Sequence, residues 1–180
     1  MILPQIEIAR AHWVLGALFL VVILEEYVPR RVASDGRWER SKSLIVPWGL
    51  MIGAVGVWAT TVFADVVHDM FVHFLWGDVL FAAGALEFVR RRGVFEHRWL
   101  ELVLPAAFVM CGALFVAHSY VFPNDQGQYW HLAMGILLIL GGGGELIRIA
   151  LRRSPRITPA LFPLAGFALA LMAISVAQAA

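Results

Sequence analysis

Six long apolar runs divide this sequence, and they constrain its fold more than any other feature. They cover residues 11–28, 44–64, 71–89, 100–118, 131–149 and 158–177. Each is close to the roughly 20 residues that an α-helix needs to cross the ~30 Å hydrocarbon core of a bilayer. The runs lack the alternation of barrel strands, and in lipid only helices and closed barrels satisfy their backbone. The pattern therefore predicts an all-α, polytopic membrane bundle of six transmembrane helices.

A soluble helical bundle is the alternative, and the composition argues against it. Of the 180 residues, 61% are hydrophobic and only 15% are charged. Soluble domains carry roughly 25% charged residues, and their helices show a polar face. We therefore expect the lipid bilayer to surround one transmembrane domain, and we expect no nucleic-acid partner.

The basic residues are distributed unevenly between the connectors. Thirteen of the 14 Lys and Arg residues lie in the connectors 30–42, 90–98 and 148–156. The alternate connectors, 65–70 and 119–130, contain aspartates but no Lys or Arg. Basic connectors stay in the cytoplasm. The sequence thus predicts that the N- and C-termini are both non-cytoplasmic.

The third and fifth runs share a set of residues at identical spacing. In the third run the set is His73, Gly77, Gly84, Glu87 and Arg90. The fifth run repeats it 58 residues later, as His131, Gly135, Gly142, Glu145 and Arg148. At 100° per residue, the two Gly and the Glu each fall within about 40° of the His on a helix. Glycines on such a stripe allow helix backbones to approach closely.

Other parts of the chain follow the same period or part of the same pattern. The first run has His12, Gly16 and Glu26 at matching internal spacings, and the even runs have prolines 58 residues apart at Pro47, Pro105 and Pro163. We therefore predict an internal repeat of three tandem helical hairpins, residues 1–65, 66–123 and 124–180. Packing of the odd helices around one axis would bring their histidines together outside and their glutamates together inside.

The non-cytoplasmic end is predicted to hold a metal site. Met70 precedes His73 by three residues, Met134 follows His131 by three, and Asp69 lies one helical turn before His73. Imidazole suits copper, zinc, iron and nickel, whereas a thioether favours Cu(I). Copper is therefore the predicted metal, and the candidate ligands are His73, His131, His118, His12, Asp69 and Met134.

Two alternatives to a copper site remain open. A haem b clamped by His73 with His131, or by His118 with His131, is one. The other is a cofactor-free subunit of a larger respiratory or photosynthetic complex, or a homo-oligomer, in which the histidines are relics of duplication. The glutamates then only pair with nearby arginines such as Arg90 or Arg148. Asp78, an intramembrane carboxylate about 140° off the histidine stripe, is a candidate contact to a neighbouring helix or partner subunit.

Two further features bear on function. Tryptophans near the run ends fit interfacial belts, namely Trp13, Trp48, Trp76, Trp99 and Trp130. The chain contains no Gly-rich phosphate loop and no HExxH motif, so we expect no enzymatic activity.

The fifth run carries a resemblance to a known family. The segment from His118 to Phe122, followed by Tyr129-Trp-His-Leu-Ala-Met-Gly-Ile-Leu-Leu-Ile-Leu-Gly-Gly-Gly-Gly-Glu145, resembles small bacterial membrane proteins of the CopD-like copper-handling family. The likeness covers about the third to fifth runs, and it consists mainly of a histidine that opens a Gly/Leu-rich helix. The resemblance implies copper handling or delivery at the inner (cytoplasmic) membrane of a bacterial cell.

Overall fold

A computed structural model describes residues 13–14, 16–18, 20–21, 37–60, 67–95, 97–120 and 126–151. These residues are all-helical and contain no β-strand, which confirms the predicted fold class for this part of the chain. The longer elements, in chain order, are α1 (Arg37–Thr60), α2 (Val67–Arg91), a 3-10 helix (Arg98–Leu102), α3 (Val103–Ser119) and α4 (Gln126–Ala150).

Among the described residues, three helices are long and apolar enough to cross a membrane. They are Met70–Arg91 in α2, Arg98–Ser119 in the 3-10 helix and α3, and Gln128–Ala150 in α4. The apolar part of α1, Leu44–Ala59, is shorter. Three such helices are the signature of a membrane protein. Most of the first predicted run, and all of the sixth, lie outside the described residues.

The helices pack most extensively as two neighbouring pairs, α1 with α2 and α3 with α4. A smaller contact between α2 and α3 joins the pairs. The core side chains of α1 recur at the spacing of one helical face, and they are Val46, Leu50, Ala54 and Val57. They meet buried side chains of α2, among them Val79, Leu80 and Ala83, and one continuous core extends from there to Leu138 of α4.

Glycines set the distance between the paired helices. A Cβ atom added at Gly84 of α2 would lie 2.9 Å from the carbonyl oxygen of Pro47 in α1. A Cβ atom added at Gly142 of α4 would lie 2.6 Å from the carbonyl oxygen of Pro105 in α3. The two contacts are the same contact 58 residues apart. Superposition of the three predicted hairpins stays a prediction. In both pairs, this close contact joins an even-numbered run to the odd-numbered run that follows it.

A tight turn after α2 makes α2 and α3 antiparallel. Gly93 has φ 67°, a left-handed conformation that favours glycine. Its N–H donates to the carbonyl of Arg90, and the Val94 N–H donates to that of Val89, which ends α2 in the manner of a Schellman cap. Because the helices run antiparallel, the beginning of α2 and the end of α3 lie at the same end of the bundle.

Candidate functional site

Three histidines from three different helices form one cluster at this end of the bundle. His73 lies near the start of α2, His118 near the end of α3, and His131 near the start of α4. The ring centroids of His73 and His118 are 5.3 Å apart, and those of His118 and His131 are 5.1 Å apart. His118 therefore contacts both other rings, and the structure brings together three of the six predicted ligands.

The cluster is buried just inside the end of the membrane-spanning segments. His118 is 2% exposed and His131 7% exposed, and His73 is half-buried. His73 and His131 each lie three residues after their spanning segments begin at Met70 and Gln128, a depth of about 5 Å along the helix. The cluster thus lies inside the bundle but within about one turn of the ends of these apolar helices.

Aromatic side chains form the inner wall of the cluster. The indole of Trp76 stacks on His73, with centroids 5.5 Å apart and an interplanar angle of 14°. Its edge meets His118 at 5.8 Å, and its ring packs against Phe115 at 3.9 Å. Phe115 in turn contacts His131 at 5.9 Å. The three imidazoles thus rest on a connected aromatic pair, Trp76 and Phe115.

The nitrogen atoms of the cluster have mixed surroundings. Among the described residues, the buried side-chain nitrogens that make no hydrogen bond are the Nδ1 atoms of His73 and His118, although both rings make other contacts. With these side-chain conformations, no group of three or more His, Cys, Asp or Glu side chains in the described part of the chain is arranged to hold a metal ion. Metal binding would therefore require the imidazoles to turn within their cluster.

The remaining predicted ligands have different positions. Met134 is 1% exposed and lies one turn after His131 on α4, within the core. His12 lies outside the described residues, and so does the side chain of Asp69. Met70 is 47% exposed and contributes to the surface of α2.

The opposite end of the bundle carries the glutamates of the repeat. Glu87 is 2% exposed and forms ion pairs with Arg90 and Arg91, both at 2.5 Å. Arg90 donates two hydrogen bonds to Glu87, of 2.8 and 2.5 Å. Arg148 donates two hydrogen bonds to Glu145 in the same geometry, also of 2.8 and 2.5 Å. The expectation that these glutamates pair with neighbouring arginines is confirmed for both. Their charges are compensated locally, so this end offers no second site of the same kind among the described residues.

Trp76 is the functional-site residue that the sequence interpretation misassigned. Its assignment to an interfacial belt is wrong, because the side chain is 8% exposed and lies in the core. Its i, i+3 spacing from His73 was the available signal, since residues three apart share a helix face. Asp78, by contrast, is exposed on α2 and does not join the cluster, in agreement with its predicted direction away from the histidine stripe.

Comparisons of the chain with known protein families, with characterised proteins and with solved structures find no match. The resemblance to CopD-like proteins stays a prediction based on the residues quoted for it.

Proposed function

We propose that this chain binds a first-row transition metal ion, copper first among them, through His73, His118 and His131 near the non-cytoplasmic membrane surface. The observation that carries the proposal is the meeting of three imidazoles from three separate helices at 5.1 and 5.3 Å. The corresponding role is metal handling or delivery at the bacterial inner membrane. It involves no enzymatic step.

The spacing of the rings supports a single small ion. A metal–nitrogen bond of about 2.0 Å places an imidazole centroid about 3.2 Å from the metal, so two ligands at a tetrahedral angle have centroids about 5.2 Å apart. The observed spacings of 5.1 and 5.3 Å agree with this value. Rotation of the rings would then aim the nitrogens of each of these two pairs at one point.

The 5.1 Å spacing of His118 and His131 disfavours that pair as the axial ligands of a haem b. Axial histidines lie on opposite faces of a porphyrin, which separates their centroids by about 6.4 Å and keeps the rings out of contact. Here His118 touches both other rings, and Trp76 and Phe115 fill the adjoining space. A porphyrin would have to displace this packed wall, whereas a metal ion would leave it in place.

The choice of copper rests on the kinds of donor available. Three imidazoles suit copper, zinc, iron or nickel, and a thioether ligand favours Cu(I). Met134 lies one turn inside His131 and is buried. We include Met134, with His12 and Asp69, as further ligands in the proposal, and Asp69 is the predicted acceptor for the second ring N–H of His73.

Metal analysis and an absorption spectrum of the purified protein test this proposal. We expect one copper ion per chain after incubation with Cu(I) and removal of excess metal, and no Soret band. Binding should weaken as the pH is lowered, because only the neutral imidazole is a ligand. A Soret band would instead establish the haem alternative. Absence of both metal and Soret band would leave the cofactor-free subunit as the function.

The orientation of the bundle is a separate prediction. We expect the variant Asp125→Cys to react with an impermeant thiol reagent added to intact cells freed of their outer membrane, and Asp35→Cys to stay unlabelled. The reason is the confinement of 13 of the 14 basic residues to alternate connectors. The native Cys111 is buried and gives little background. Labelling of Asp35→Cys but not of Asp125→Cys would reverse the topology.

A further inference from the structure

Trp76 contacts the histidine cluster but is not itself one of the proposed metal ligands. It lies on α2 one turn inside His73, it is 8% exposed, and its ring contacts two of the three clustered histidines. We propose that Trp76 is a positioning residue of the metal site, which holds the planes of the His73 and His118 rings. This inference rests on the proposed function of the same site.

The indole is itself anchored on both sides. Its Nε1–H donates a buried hydrogen bond of 3.2 Å to the carbonyl oxygen of Cys111, two turns below His118 on α3. Its ring also packs closely against Phe115, with centroids 3.9 Å apart. The hydrogen bond to Cys111 and the packing against Phe115 leave the indole little rotational freedom. The same two contacts connect α2 to α3 directly beneath the histidines.

The anchored indole presents two different surfaces to the imidazoles. Its face lies nearly parallel to His73 (14°), while its edge meets His118 at 68°. Stacked and edge-to-face arrangements are the favoured geometries of aromatic pairs. One rigid group therefore restrains two ligand rings and the angle between them. His131 is restrained less directly, through Phe115.

Restraint of this kind affects metal affinity rather than stability alone. Metal binding requires the imidazoles to turn, but a half-turn about the Cβ–Cγ bond keeps an imidazole in its plane. Rings whose planes are already held therefore lose less freedom when the metal binds. Loss of a group that orients metal ligands typically lowers affinity by roughly 10–100-fold. A residue that only fills the core would change the unfolding temperature but leave the coordination of the bound metal unchanged.

The test uses two substitutions at Trp76 and one matched control. Trp76→Leu removes the ring and the hydrogen bond, whereas Trp76→Phe keeps a ring that can still stack on His73. Trp58→Phe is the control. Trp58 also donates an indole hydrogen bond of 3.2 Å to a backbone carbonyl, that of Phe74, and its ring contacts include Phe74 and Phe81. Cu(I) affinity is measured by competition with a chromogenic chelator, and coordination by X-ray absorption at the copper edge.

We expect Trp76→Leu to lower Cu(I) affinity by about 10–100-fold and to change the number or distances of the nitrogen ligands. Trp76→Phe should recover part of the affinity, and Trp58→Phe should match the wild type. Wild-type affinity and coordination in Trp76→Leu would overturn the positioning role while leaving the metal site intact. If Trp76→Leu does not fold, wild-type affinity and coordination in Trp76→Phe would overturn the positioning role instead. A wild-type protein that binds no Cu(I) would overturn the proposed function, and the positioning role with it.

Discussion

Replacing His118 by glutamine is expected to remove most bound metal from the protein, as fully as replacing His73 or His131. His118 is the middle ring of the cluster, in contact with both others, and it is 2% exposed. Loss of a ligand should exceed the roughly 10–100-fold loss of affinity that follows loss of an orienting group. Glutamine keeps polar volume in a buried position, and so limits the destabilisation that a cavity would cause. Metal content per chain after desalting is the measurement.

The control is His97, which is exposed in the basic connector between α2 and the 3-10 helix. His97→Ala should retain full metal content. The double variant His73→Gln/His131→Gln distinguishes a site from a relic of duplication, because it removes both repeated histidines. Full metal content in the folded double variant would show that the cluster is not the site, and a cofactor-free subunit would then be the better account.

The helices themselves were predictable from hydropathy. The runs 71–89, 100–118 and 131–149 correspond to Val67–Arg91, Arg98–Ser119 and Gln126–Ala150 in the structure. The observed helices extend beyond the runs at both ends. A run of apolar residues ends where the polar surroundings begin, whereas a helix continues until its backbone is capped, as at Gly93 after α2.

The candidate site was predictable only in part. Matching positions in the repeat identified His73 and His131. The predicted position of His118 at the same, non-cytoplasmic end of the helices added it to the site. Trp76 was misplaced because a tryptophan near the end of an apolar run fits either an interfacial belt or the core. An almost uniformly apolar helix does not show which face is inside. The glycine stripe supplied that information, and Trp76 lies only about 60° from His73 around the helix.

A repeat period fixes the length of a repeating unit but not where the unit begins. The 58-residue period fits hairpins that start at an odd-numbered run equally well as pairs that start at an even-numbered run. The contacts of Gly84 with Pro47 and of Gly142 with Pro105 show only that the helices of both described pairs pack in the same way, and the division into hairpins stays a prediction. Only distances between helices carry this information, and no spacing along the chain does.

A second large effect, on stability, is expected at Gly142, one of the four consecutive glycines of α4. Gly142→Ala should lower the stability of the folded protein by about 1–3 kcal/mol, the range for overpacking a close contact. The added Cβ atom would lie 2.6 Å from the carbonyl oxygen of Pro105 and 3.0 Å from Phe108 Cβ. Since one neighbour is backbone, α3 and α4 must move apart. Separation of these two helices would also strain the link between His118 and His131, so metal affinity should fall in the same variant.

Gly143→Ala is the matched control, one residue further along the same helix. A Cβ atom at Gly143 would meet nothing within 4 Å, and alanine favours a helix over glycine by up to about 1 kcal/mol. This variant should therefore be as stable as the wild type or slightly more stable. The measurement is denaturant or thermal unfolding in detergent, followed by the helical circular dichroism signal. Equal destabilisation by both substitutions would mean that the glycine run matters for backbone flexibility. A deficit confined to Gly142→Ala would establish that helix approach, at the position equivalent to Gly84, is what glycine provides in this bundle.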